Sequence, residues 1–154
     1  MLDKRKHIRL CSELYETTGQ YFSITIATED RKEYFKKPEI ATLTTELIMS
    51  GNISKLATLS AFCLMPDHLH LLIAPENASL IHLIQLWKSY TTNIICKKLG
   101  VNVKIWQRSI YDHALRKEED IGVVAEYILN NPVRKDLVKN WEEYPYSWCE
   151  WLEK

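Results

Sequence analysis

The sequence predicts an α+β domain: a ferredoxin-like (RRM-like) β-α-β-β-α-β sheet with an additional C-terminal helix that carries Tyr127. Three observations lead there. Residues 21–28 alternate apolar and polar side chains with the period of a half-buried strand. Two strand-like runs, 57–65 and 68–74, are separated only by the turn signal Pro66-Asp67. Helical apolar spacing follows both the first strand and the hairpin, which is the order of a split β-α-β unit.

Each element has its own signal. In YFSITIAT, Phe22, Ile24 and Ile26 face one way, while Tyr21, Ser23 and Thr25 face the other. After Pro38, the residues Ile40, Leu43 and Leu47 recur at helical spacing until Gly51, a suitable residue just past a helix end. Ser79 is placed to cap a long helix whose stripe is Leu80, Leu83, Trp87 and Ile94 and whose stop is Gly100. Residues 105–115, IWQRSIYDHAL, are expected to be extended and to supply the fourth strand. The acidic cluster Glu118-Glu119-Asp120 favours a helix N-terminus, and Pro132 is expected to stop that last helix near Asn131. Helices are expected on one face of the sheet, with the other face open.

Composition narrows the class. Of 154 residues, 46% are hydrophobic and 26% charged, the balance of an ordinary globular chain. No repeat, low-complexity tract or Gly/Ser linker marks a boundary, so residues 1–154 are expected to form one domain. No window approaches the ~20 apolar residues of a membrane span and no signal-like leader opens the chain, so a cytoplasmic protein is expected. The cysteines Cys11, Cys63, Cys96 and Cys149 form no CxxC pair, which argues against a cysteine zinc site or a disulfide scaffold. Formal net charge is zero, but the charges are segregated: Lys4, Arg5, Lys6, His7 and Arg9 crowd the N-terminus. A neutral total can hide a positive groove.

The chemistry centres on MPDHLHLLIA. In a strand, side chains two positions apart project from one face, so His68 and His70 can converge on one metal ion. Leu69, Leu71 and Ile73 then point into the helix-covered core. A bare HxH motif fits equally well a turn cap beside a histidine on a sheet face. A three-histidine HxHxH set fails at Leu72, and no second His-x-Ser/Thr pair marks a two-motif phosphoesterase. Zinc held by Cys63, His68 and His70 is compatible in composition but lacks an evident fourth ligand. On the last helix, Tyr127 and Asn131 stand four apart and share a face, beside the stripe Ile121, Val124 and Ile128. An amphipathic tyrosine covering the helix–sheet junction explains that placement; so does a phenol held beside a metal-bound phosphate, with the Asn131 amide oxygen as a neutral ligand.

MPDHLHLL followed far downstream by EYILNNPVR resembles the HUH single-tyrosine transposases, and within them the REP-associated tyrosine transposase branch. YFSITIATEDRKEYF, WQRSIYDHALR, NNPVRKDLV and YPYSW resemble further segments of that branch in order, so the resemblance spans most of the chain. It implies that His68 and His70 bind a divalent metal, Mg²⁺ or Mn²⁺, with Asn131 as third ligand where insertion-sequence relatives commonly carry glutamine. It implies that Tyr127 attacks a DNA phosphate to give a 5′-phosphotyrosine link and a free 3′-OH. The substrate implied is single-stranded DNA beside imperfect hairpins. Recognition would then draw on Lys4, Arg5, Lys6 and Arg9, on Arg108, Arg116 and Arg134, or on stacking by Trp106 and Tyr111. His113 is placed either to support the site or to pair with Asp112. Relatives that dimerise can lend the tyrosine helix to the partner's histidines, so a homodimer with a shared site is one assembly to consider. A catalytically silent DNA-binding protein of the same fold, and a phosphoesterase using metal-activated water, are the competing readings.

Overall fold

A computed structural model describes residues 19–76, 78–116 and 119–152. Its elements are β1 (Phe22–Ala27), α1 (Pro38–Ser50), α2 (Asn52–Leu56), β2 (Ala57–Met65), β3 (His68–Pro75), α3 (Leu80–Leu99), β4 (Tyr111–Ala114), α4 (Ile121–Leu129), α5 (Asn131–Arg134) and β5 (Ser147–Cys149). The strands form one sheet in the order β4-β1-β3-β2-β5, antiparallel throughout. The first four reproduce the expected ferredoxin-like order, and β5 adds an edge strand beyond β2. Among the described residues, no helix is long and apolar enough to cross a membrane.

One face of the sheet is the main core. Phe22, Ile24 and Ile26 of β1, Leu69, Leu71 and Ile73 of β3, and Phe62 and Leu64 of β2 meet Ile40 and Ile48 of α1 and Leu83, Ile84 and Trp87 of α3. The alternation read from the sequence therefore assigns this face correctly. The helix ends follow the expected chemistry. Ser79 Oγ accepts from the His82 amide at the start of α3, and Gly100 closes it in the left-handed region at φ 68°. Asp120 accepts from the Gly122 and Val123 amides at the start of α4.

Three expectations need correction. The opposite face of the sheet is not open throughout: α4 covers its β2–β5 side, packing Ala125, Ile128 and Leu129 against Ala61, Cys63, Met65, Leu72 and Cys149. The apolar stripe of α4 needs a partner, and small or apolar residues on that face of β2 and β3 provide it. The segment 105–115 is only partly a strand: Trp106 makes an isolated bridge to Thr28, and regular pairing begins at Tyr111. Pro132 does end the tyrosine helix, yet the chain turns at Asn130 (φ −82°, ψ 2°) and resumes as α5 with the proline inside its first turn. Proline suits a first turn because the amide it lacks has no helical acceptor there.

Gly51 and Gly100 both follow helices but for different reasons. Gly51 has an ordinary φ of −88°, and a Cβ there would lie 2.4 Å from the Leu47 carbonyl oxygen. Gly100 has open space around it and a positive φ. Gly51→Ala is expected to destabilise by about 1–3 kcal/mol through steric displacement, whereas Gly100→Ala is expected to cost about 1 kcal/mol from backbone strain alone. Urea denaturation midpoints of the two variants check the order.

Candidate functional site

The histidines project from the sheet face that carries α4. The β1–β3 register sets Thr25 opposite His70 and Ala27 opposite His68, and residues directly opposite in an antiparallel pair share a face. His68 is buried and His70 partly buried. Their rings meet edge to face, with the two Nε2 atoms 3.0 Å apart.

Each ring is held at its other nitrogen. His68 Nδ1–H donates to Asp67 Oδ1 at 2.6 Å, since a carboxylate only accepts. Asp67 Oδ2 in turn accepts from Arg31 Nε at 3.0 Å. His70 Nδ1 lies 3.0 Å from Thr25 Oγ1. A hydroxyl both donates and accepts, so Thr25 serves either tautomer of His70. In one tautomer His70 Nε2–H donates to the His68 Nε2 lone pair. With the proton moved to Nδ1, both Nε2 lone pairs point into one space.

That arrangement fits a divalent ion. Two ligand atoms at about 2.1 Å from an octahedral ion and at right angles stand about 3.0 Å apart. Carboxylate and hydroxyl partners on the remote nitrogens are the outer support that orients metal-binding imidazoles. Among the described residues, no three His, Cys, Asp or Glu side chains gather, so further ligands would be amide oxygen, water or substrate.

Electrostatics keep both imidazoles neutral, the state that ligates. Burial is the main cause for His70, reinforced by the charges of His68, Arg134 and Arg31, and its pKa falls from 6.5 to about 3. Burial also lowers His68, against the opposing pull of Asp67. Burial alone raises Asp67, but the His68 hydrogen bond and charge, with Arg31, hold it below its ordinary value.

Tyr127 is exposed at 63% on α4, while its neighbours Ile128 and Leu129 are buried against the sheet. Tyr127 and Asn131 do not share one continuous helix, because the chain turns at Asn130. They are joined instead through Arg134. Its guanidinium carbon lies 3.8 Å from the Tyr127 ring centroid, and Nη2 donates to the Tyr127 carbonyl at 2.7 Å and to Asn131 Oδ1 at 2.8 Å. Asn131 is buried, and its Nδ2 donates to the Ile128 carbonyl. The amide orientation is therefore set, with one Oδ1 lone pair still uncommitted.

The other candidates divide. Trp106 is 2% exposed, stacks on Phe35 and donates its indole N–H to Thr91 Oγ1, so it is a core residue and no DNA-stacking platform. An extended segment at a sheet margin has one face inward, and Trp106 is on that side. Arg108, Arg116 and Arg134 are exposed. Lys4, Arg5, Lys6 and Arg9 lie outside the described residues. His113 pairs with Glu119, Nε2 standing 2.9 Å from both carboxylate oxygens, and not with Asp112, which as its strand neighbour faces the other way. Residue-by-residue reasoning missed Thr25, Arg31 and Asp67 as supports of the histidines. Asp67 was visible only as a turn residue. Thr25 needs the strand register, and Arg31 is delivered by a turn in which Asp30 and Arg31 both have positive φ.

The neutral histidines carry a stability signature. Their folded pKa values lie below the unfolded value near 6.5, so between that pH and the folded values the unfolded chain binds more protons. Stability of the metal-free protein is therefore complete above about pH 6.5 and expected to fall as pH drops toward 3. Urea midpoints taken across that range check the fall. NMR of the imidazole ring carbons in chelator-treated protein should show His70 uncharged until about pH 3.

Comparison with known proteins bears on the family and the fold. The family model described as transposase, IS200 like, matches residues 16–131, a span that includes His68, His70, Tyr127 and Asn131. A Haemophilus influenzae protein named as a REP-associated tyrosine transposase is 28% identical over 142 residues, covering 85% of this chain and 80% of its own. A second Haemophilus influenzae protein, without an assigned function, is 27% identical over 162 residues, covering 84% and 88% respectively. Among solved structures, a REP-associated tyrosine transposase bound to a REP hairpin superposes with a TM-score of 0.66 at 19% identity, covering 91% of this chain and 80% of that one. A Deinococcus radiodurans protein described as a transposase has a TM-score of 0.50 at 17% identity, covering 75% and 93%. Ordered motifs, sheet order and a family match over most of the residues coincide: the chain belongs to the IS200-like transposase family and resembles its REP-associated tyrosine branch.

Proposed function

We propose that this chain is a metal-dependent single-stranded DNA endonuclease and strand transferase that cuts beside DNA hairpins through a 5′-phosphotyrosine intermediate. The observation that carries the reading is the pair of Nε2 atoms 3.0 Å apart, each on a ring anchored at Nδ1. In this reading His68, His70 and the free lone pair of Asn131 Oδ1 hold Mg²⁺ or Mn²⁺. When bound there, such an ion would supply Lewis-acid stabilisation of charge on the phosphate.

The chain's own residues do the rest. Tyr127 presents its phenol from an exposed helix face, so a DNA strand can reach it without entering a closed pocket. The phenol oxygen forms a bond to phosphorus as the P–O3′ bond breaks. The phenol proton passes to solvent, and the departing 3′ oxygen takes a proton from solvent to leave as a 3′-OH. The reverse attack of a 3′-OH on the phosphotyrosine restores a phosphodiester and releases the phenol. Bond energy is conserved in that exchange, so no nucleotide triphosphate is needed. Hairpin DNA as partner rests on the solved relative bound to a REP hairpin.

The test is incubation of wild type and Tyr127→Phe with end-labelled single-stranded hairpin DNA and Mn²⁺, resolved on denaturing gels. A covalent adduct from wild type alone is expected. Equal cleavage by both would move the chemistry to metal-activated water, and binding without cleavage across a hairpin panel would leave a DNA-binding protein only. For the outer support, Asp67→Asn is expected to weaken Mn²⁺ binding by about 10–100-fold, read by calorimetry.

A further inference from the structure

Although the net charge of the chain is zero, the histidine site is locally cationic. Arg31 and Lys135 act on His68, and Arg134 and Arg31 act on His70. The anion in direct contact is Asp67, which is already bonded to His68 and Arg31. An excess of positive charge around neutral imidazoles suits an anionic ligand.

Of these cations, Arg134 is the one joined to the tyrosine. Both Nη2 hydrogens are used, one on the Tyr127 carbonyl and one on Asn131 Oδ1. The flat guanidinium lies against the Tyr127 ring at 3.8 Å, within the range of a cation–π contact. Its backbone amide donates to Asn130, so the residue is fixed at both ends. Nε–H and the two Nη1 hydrogens have no protein acceptor among the described residues. Three donors therefore remain on an exposed edge of a group that is already oriented. Arginine matches phosphate with such a planar fork, and holding it in advance removes the ordering cost on binding. Lys135, by contrast, is exposed and its ammonium has no hydrogen-bond or ion-pair partner among the described residues.

Resting on the proposed tyrosine chemistry, we propose that Arg134 is a catalytic residue that binds a non-bridging oxygen of the scissile phosphate through its free Nε/Nη1 edge. The stacked face of the same guanidinium holds the Tyr127 ring in line with that phosphate. One side chain thus aligns nucleophile, third metal ligand and target, and charge that develops on the phosphoryl oxygens meets a donor already in place.

The experiment is a double-mutant cycle between protein and substrate. Once the cut linkage is mapped with wild type, a hairpin oligonucleotide is made with a methylphosphonate there, which removes the non-bridging charge. Single-turnover adduct formation with Mn²⁺ is measured for wild type and Arg134→Ala on both DNAs, alongside DNA Kd and Tm. On the phosphodiester, Arg134→Ala is expected to slow adduct formation on the order of 10²-fold, with a small change in Kd. On the methylphosphonate the two proteins should differ little, because the group that Arg134 recognises is gone. Arg134→Lys, which keeps the charge but loses the fork, should recover only part of the rate, and it replaces the alanine variant in the cycle if that variant fails to fold. An equal fold-loss on both DNAs would make Arg134 a structural clamp of the α4–α5 junction, and an unchanged rate would remove it from the site; either overturns the proposal while leaving the tyrosine chemistry intact. If wild type forms no adduct at all, the tyrosine chemistry falls and this role falls with it.

Discussion

The antiparallel register between β1 and β3 governs the rest of the molecule. With Ile24 opposite Leu71 and Thr25 opposite His70, Phe22, Ile24, Ile26, Leu69, Leu71 and Ile73 turn toward α1 and α3, and both histidines turn away. A slip of one residue would reverse this, driving two imidazoles into the core and three aliphatic side chains out of it. The burial of Phe22, Ile24, Ile26, Leu69, Leu71 and Ile73 is thus what holds the site in place. Core stability and site geometry rest on the same pairing, so the histidines need no separate scaffold.

From that register the two faces acquire different tasks. The helix-covered face is closed and apolar. The other is divided, with α4 seated over the β2–β5 side through Leu72 and Cys63, and the histidines and Thr25 beside it. Leu72, the position at which a three-histidine motif fails, is thereby used as a packing contact for the tyrosine helix. The alternation His68, His70, Leu72 on one face places ligands and helix support along a single strand.

The local cationic character resolves the difficulty raised by a neutral chain. Net charge is a sum over the whole surface, while binding responds to the potential where the ligand sits. Arg31 comes from the turn after β1 and Arg134 and Lys135 from the end of α5, and each raises the local potential at the histidines. Arg31 reaches the site through a turn with consecutive positive φ values, a conformation that costs energy for residues other than glycine and clusters at functional sites. The ion pair with Asp67 gives that strain a structural return.

Much of this protein was legible in its residues. Alternation in YFSITIAT and HLHLLIA assigned inward and outward faces, Ser79 and Gly100 marked the long helix, and the ordered motifs pointed to the family, because period, caps and motif spacing are local properties of a chain. The closing strand β5 was not legible, since three residues carry too short a pattern and pairing with β2 comes from distant contacts. Covering of the second sheet face by α4 was likewise hidden, as was the burial of Trp106, which depends on Phe35, Trp87 and Thr91. Sequence by itself determined the order of the first four strands, which side chains of β1 and β3 face the main core, and the family. Tertiary structure alone decided how Thr25, Asp67 and Arg31 orient the imidazoles and how Arg134 links Tyr127 to Asn131. The reason is physical: hydrogen bonds of about 3 Å between segments depend on register and on the path of turns, and neither is encoded in the spacing of residues along one segment.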